Sequence, residues 1–117
     1  MQARLLKQAA AIPEAELVDW GPVPAPIGAP VSRTSGTLLH RDEDGANETG
    51  VWVCTPGTWR CVVERNEFCQ FLSGRCVYTA DDGEVLEIAG GDAAYFPASW
   101  SGTCQVMETV RKTYMIR

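Results

Sequence analysis

From residue 35 onward no part of the chain runs far without a turn residue. Asp44-Gly45, Pro56-Gly57, Ser73-Gly74, Asp82-Gly83 and Gly90-Gly91 cut it into short apolar runs. Glycine supplies the positive φ that tight turns need and proline presets the first turn position, so such pairs tend to end an element where they stand. The runs between them cover residues 36–41, 51–54, 58–64, 67–72, 75–80, 85–89, 93–96, 103–108 and 110–116. They are short, alternating, and rich in β-branched and aromatic residues, which is strand text. No helical text separates them, so a parallel α/β sheet is excluded and the expected class is all-β, a sandwich or barrel.

The N-terminal third reads differently. Leu5, Leu6, Ala9 and Ile12 stand at helical spacing and Pro13 stops them, which predicts a short amphipathic helix within residues 1–18. Gly21 to Pro30 then holds four prolines in ten residues, the composition of an extended arm. With 117 residues there is room for one domain. The expected division is a helix and arm over 1–34 that pack on a barrel over 35–117. Within 58–64, Trp59, Cys61 and Val63 share one side, and within 67–72, Glu67, Cys69 and Phe71 do. Both strands are apolar on both faces for much of their length, which points to a homodimer.

Charge and cysteines narrow the partners and the compartment. A net charge of −5 with ten scattered Lys and Arg repels phosphate backbones, so nucleic acid is not an expected partner. No uncharged apolar segment approaches the roughly 20 residues of a membrane helix, and Lys7 leaves the N-terminal apolar run too short for a signal peptide. Five cysteines without a CxxC pair favour reduced thiols in a cytoplasmic protein and exclude a zinc ribbon.

Several runs carry a resemblance. Residues 50–61, Glu67-Phe-Cys-Gln-Phe-Leu-Ser-Gly74, Asp81-Asp-Gly-Glu84, Gly91-Asp-Ala-Ala-Tyr-Phe-Pro-Ala-Ser-Trp-Ser-Gly102 and Glu108-Thr-Val-Arg-Lys-Thr-Tyr114 resemble the small single-domain cupins grouped with the ureidoglycine aminohydrolase cupin domain and the ethanolamine-utilisation cupins. The resemblance spans 50–116 almost continuously and implies a double-stranded β-helix, the jelly-roll barrel. In metal-binding cupins the first motif supplies two histidines spaced HxH, then a glutamate, then after six residues a glycine. Glu67 and Gly74 match the last two. The histidine slots fall on Cys61 and Val63, or on Arg60 and Val62, and the slot of the second motif, five residues after Pro97, falls on Gly102. The fold is implied, and the usual metal site is not.

Alternation selects the residues that carry chemistry. Glu67 points inward among Trp59, Cys61 and Phe71, where desolvation would suit a general acid or base; it is the candidate catalytic group, and the bland alternative is a pairing with Lys112 or Arg60. Lys112 shares a face with Val110, Tyr114 and Ile116, and a lysine on an apolar face calls for a carboxylate, Glu67 being the nearest choice. Cys61, Cys69 and Cys104 could converge on Glu67 and hold a soft metal such as zinc, or could be ordinary small hydrophobes with no histidine base to activate them. A lone carboxylate does not hold a divalent cation, so no cofactor is expected. Trp52, Trp59, Tyr95, Phe96 and Trp100 are candidates for an aromatic wall, with Trp100 placed at its mouth; His40, far from both motifs, reads as a surface residue.

The expected ligand-binding set is therefore Trp59, Cys61, Glu67, Cys69, Trp100, Cys104 and Lys112, and the expected function is binding of a small molecule without the usual metal. The resemblance implies an alternative, an enzyme acting on a nitrogen-containing metabolite in ureide or amine catabolism. A third possibility is a structural or regulatory homodimer whose barrel is filled by side chains.

Overall fold

The computed structural model describes residues 2–117. Its strands are β1 (Val18–Pro22), β2 (Pro26–Ile27), β3 (Arg33–Arg41), β4 (Glu48–Cys54), β5 (Gly57–Val62), β6 (Glu67–Ala80), β7 (Val85–Ala89), β8 (Ala93–Phe96) and β9 (Ser101–Ile116). All of them pair antiparallel. The sheet runs β1-β3-β4-β9-β5-β2, and β6 joins β9 while carrying β7 and β8. The two longest strands form the spine, paired from Glu67 opposite Ile116 to Ala80 opposite Gly102. Because side chains alternate across a strand, the inward positions of this curled sheet form one core, with Phe71, Cys76, Tyr78, Phe96, Cys104 and Val110 at its centre.

The chain departs from its sequence pattern in two places. The runs 67–72 and 75–80 are one strand, as are 103–108 and 110–116. Ser73-Gly74 does not turn the chain; it bulges it, with register shifts against β9 on both sides of Ser73. Gly74 has φ +88°, and a Cβ there would lie 2.1 Å from the Thr109 carbonyl oxygen, so the bulge needs glycine for backbone conformation and for space.

The second departure is the expected N-terminal helix. Among the described residues the segment holds turns and a single 3-10 turn, Glu14–Glu16, with no side-chain cap at Pro13. So short a helix cannot repay its nucleation cost alone. Its carbonyls find another donor: Arg111, buried on the outer side of β9, donates to Ala9 O at 3.1 Å and Ile12 O at 2.8 Å. The proline-rich arm lies on two edges of the sheet, β1 against β3 and β2 against Thr58 and Trp59 of β5.

Candidate functional site

A cavity of about 410 Å³ opens inside the curl of the sheet. Alternation builds it: Glu48 and Trp52 on β4, Trp59 and Cys61 on β5, and Lys112 and Tyr114 on β9 lie two or four positions apart, whereas Glu67 and Tyr78 on β6 lie eleven apart and share a side because the bulge at Ser73-Gly74 between them shifts the alternation by one. Trp20 reaches in from β1, and its ring lies where a Cβ of Gly36 would be, so the glycine makes room for the indole.

At the centre, Lys112 Nζ donates to Glu67 Oε2 at 2.6 Å. The Cys69 thiol donates to the same oxygen at 3.3 Å, while Oε1 takes no hydrogen bond from the described residues. The ammonium also lies 4.4 Å from the centroid of the Trp52 ring and 5.7 Å from that of Phe71, within cation–π range. The two side chains are only 8% and 16% exposed, so the charges meet with little solvent to screen them. Burial works against the Lys112 charge, yet the Glu67 carboxylate outweighs it and the ammonium titrates above its ordinary value.

A second polar cluster shares the cavity wall. The Tyr114 hydroxyl donates to Glu48 Oε2 at 2.7 Å, and Arg41 donates through Nε and Nη2 to Glu48 Oε1 at 3.0 and 2.7 Å. Burial pushes the Glu48 carboxyl upward, but these donors prevail and hold it below the usual value. Burial, followed by the hydrogen bond to Glu48, raises the Tyr114 hydroxyl.

The two thiols nearest the ion pair are quiet. Burial pushes Cys61 up to about 11 and Cys69 up to about 12, so both stay protonated at neutral pH. Cys104 is fully buried in the core, does not line the cavity, and is raised by its hydrogen bond with Cys76 and by burial. Cys69 lies behind Glu67 and outside the lining. Among the described residues no group of three His, Cys, Asp or Glu side chains is placed to hold a metal, so Cys61, Cys69, Cys104 and Glu67 do not converge as a soft-metal site. The strand geometry explains why: Cys104 pairs with Tyr78, well along β6 from Glu67.

Of the residues singled out from sequence, Trp52, Trp59, Cys61, Glu67, Phe96 and Lys112 line the cavity. Trp100 does not; it packs edge-on against Tyr78 and Phe96, with ring centroids 5.8 and 5.2 Å away. Tyr95 faces outward, Arg60 pairs with Asp81, and His40 Nε2 donates to Asp42 Oδ1 at 2.8 Å on the exposed side of the sheet. Glu48, Tyr114 and Trp20 were not among the expected site residues. For the first of these the signal was present: Glu48, Gly50 and Trp52 alternate, which puts the acid on the tryptophan's side.

An antiparallel jelly roll with an interior cavity is the architecture of the cupins, among other families. The chain belongs to the EutQ-like cupin domain family, whose model matches residues 41–114. Among solved structures it resembles a protein of unknown function of the DUF861 family from Pseudomonas syringae pv. tomato, with TM-score 0.77 and 22% identity over 86% of this chain and 44% of that one. It thus spans under half the length of that relative. The EutQ protein of Clostridium difficile matches with TM-score 0.63 and 15% identity, over 73% of this chain and 68% of the other. A DUF861 family protein from Thermotoga maritima is 31% identical with TM-score 0.54, over 55% of this chain and 73% of its own. No curated protein matches the chain.

Proposed function

We propose that the chain is a small-molecule-binding cupin whose cavity takes a polar metabolite of no net charge. The Lys112–Glu67 pair inside a cavity of about 410 Å³ carries this reading. The pair is already neutral and poorly solvated, so a ligand charge brought against it would give up its hydration and find no free counter-charge in the pair, while Glu64 and Arg65, of opposite sign, add no net charge to the lining. An N–H or O–H donor, in contrast, finds Glu67 Oε1 open. Trp59, tilted 56° from Trp52, offers a flat apolar surface beside it. The volume lies at the lower end for small-molecule sites. It also speaks against a barrel packed shut, and thiols held neutral by burial supply no nucleophile for covalent chemistry.

A melting-shift screen with ureides, amides, amines and organic acids tests the proposal. Uncharged amides or ureides are expected to raise the melting temperature, a ligand at about 100 times its Kd adding about 2.7 kcal/mol. Glu67→Gln, which replaces a bare acceptor by a mixed donor and acceptor of the same shape, should abolish the shift. A screen in which only charged compounds act, or in which Glu67→Gln responds like the wild type, sinks the proposal.

A further inference from the structure

A lysine ammonium carries three N–H donors, and a carboxylate accepts at both of its oxygens. In the cavity Lys112 spends one donor on Glu67 Oε2, and no other nitrogen or oxygen of the described residues accepts from it. Glu67 Oε2 is taken by Lys112 and Cys69, whereas Oε1 is open. The ion pair therefore leaves a donor and an acceptor unspent, side by side, on two residues that line the cavity. The other polar groups of the lining are more fully committed. Both oxygens of Glu48 accept, from Arg41 and from Tyr114, and Arg65 donates to the Gly45 carbonyl oxygen. Around the pair the wall is aromatic. Trp52 lies under the ammonium at 4.4 Å, and the Trp59 ring stands 6.4 Å from that of Trp52. Trp20 adds a third indole from the point where the register of β1 shifts, between Asp19 and Gly21; it is 38% exposed, at the mouth.

We infer that the cavity selects a flat ring with a cis-amide edge, that is, an N–H and a C=O on the same side of one C–N bond, as in a lactam or a cyclic imide. The inference rests on the reading of this cavity as a site for an uncharged polar metabolite, and it narrows that class. The ring N–H donates to Glu67 Oε1 while the carbonyl oxygen accepts from Lys112 Nζ. Both bonds involve an ionised protein group, which makes each stronger than its neutral counterpart. An open-chain secondary amide is trans, so its N–H and C=O point to opposite sides and one half of the pair stays unmatched. An N-alkylated amide or an ester has no donor for Oε1. A carboxylate offers acceptors alone and an ammonium donors alone, so each opposes like with like at one of the two positions. Ring closure builds the cis edge in, and a flat ring presents its faces to the indoles, where a puckered one makes less contact.

Magnetic-resonance titration of the full chain, followed at the indole N–H signals, tests this with uracil as the probe: a flat, uncharged ring with cis-amide edges. The chain has four tryptophans, and Trp20, Trp52 and Trp59 line the cavity while Trp100 does not, so three of the four signals should move. N,N′-dimethyluracil, which keeps the ring and loses the donors, and N-methylacetamide, which keeps donor and acceptor in trans, should each bind at least about 10-fold more weakly, the effect of one unmatched buried polar group. Dihydrouracil, with the same edges on a puckered ring, should also bind more weakly than uracil. Equal binding by any of these three overturns the inference and leaves the reading of an uncharged ligand standing, as does a uracil titration in which fewer than two indole signals move, because the probe then sits elsewhere. Silence toward all four probes, in a protein whose melting temperature other uncharged compounds do raise, likewise overturns the inference alone. Silence in both experiments overturns both.

Discussion

Replacing Lys112 by Met removes the ammonium and keeps a side chain of similar length against Trp52. Glu67 Oε2 then loses its 2.6 Å donor and retains only the Cys69 thiol at 3.3 Å. Breaking one side of a buried ion pair costs about 3–5 kcal/mol, because the remaining charge is stranded without its hydration. Glu67 is 16% exposed at the cavity wall, which places the expected loss near the lower bound, about 3 kcal/mol. The sign of the pH dependence discriminates this from a packing defect. In the variant the stranded carboxylate is easier to protonate folded than unfolded, so acidification favours the folded form and the stability gap to the wild type narrows as pH falls. Urea unfolding followed by tryptophan fluorescence, with Trp52 and Trp59 next to the changed site, gives both quantities. Adding Glu67→Gln to Lys112→Met should recover more than half of the loss, since the pair is coupled. A single variant within about 0.5 kcal/mol of the wild type, or a gap that does not change with pH, refutes the argument, because that is the size expected of an unremarkable surface change.

The thiols and the bulge give two further outcomes. Cys54 and Cys61 are pushed up by burial to about 11 and Cys69 to about 12, from an ordinary 9.0. Unfolded thiols ionise first, so folding stability should fall as pH rises from about 9 toward 11, by up to about 1.4 kcal/mol per pH unit for each thiol. Lys112 works in the same direction, its contribution being present below the unfolded lysine value and lost as pH rises through its raised folded one. Urea midpoints measured under reducing conditions should drop over that range, and a flat profile contradicts the burial argument. Gly74→Ala forces a side chain onto φ +88° with 2.1 Å to the Thr109 carbonyl oxygen, and should cost on the order of 2–4 kcal/mol in urea unfolding. Unchanged stability would show that the bulge can relax away from Thr109.

The barrel was legible because alternation and turn residues are local properties. Glu67 and Lys112 could be matched from sequence for the same reason: each is the charged member of an otherwise apolar inward face, and a buried charge needs its opposite. Trp100 was misplaced because a loop has no period to orient it, and contacts with Tyr78 and Phe96, distant in sequence, set its direction. The thiol convergence failed at the level of register. Sequence can assign Cys69 and Cys104 to inward faces, but only pairing shows that Cys104 stands opposite Tyr78 while Cys69 stands opposite Tyr114. Ser73-Gly74 looked like a turn because a glycine at positive φ serves a bulge as well as a hairpin, and what separates them is the presence of β9 alongside. The N-terminal helical spacing was real as a pattern, but Arg111, a hundred residues away, made the better offer to its carbonyls.

Glu67 and Phe68 are neighbours in the chain, as are Tyr114 and Met115. The first of each pair faces the cavity and the second faces the outside. Inside and outside at this end of the barrel are therefore two sides of a wall one backbone thick, and no intervening layer can absorb a movement. A peptide unit that tilts to accommodate something in the cavity swings the adjacent side chain on the far surface by the same rotation. Whatever rests on the outside of β6 and β9 leans directly on the floor of the cavity.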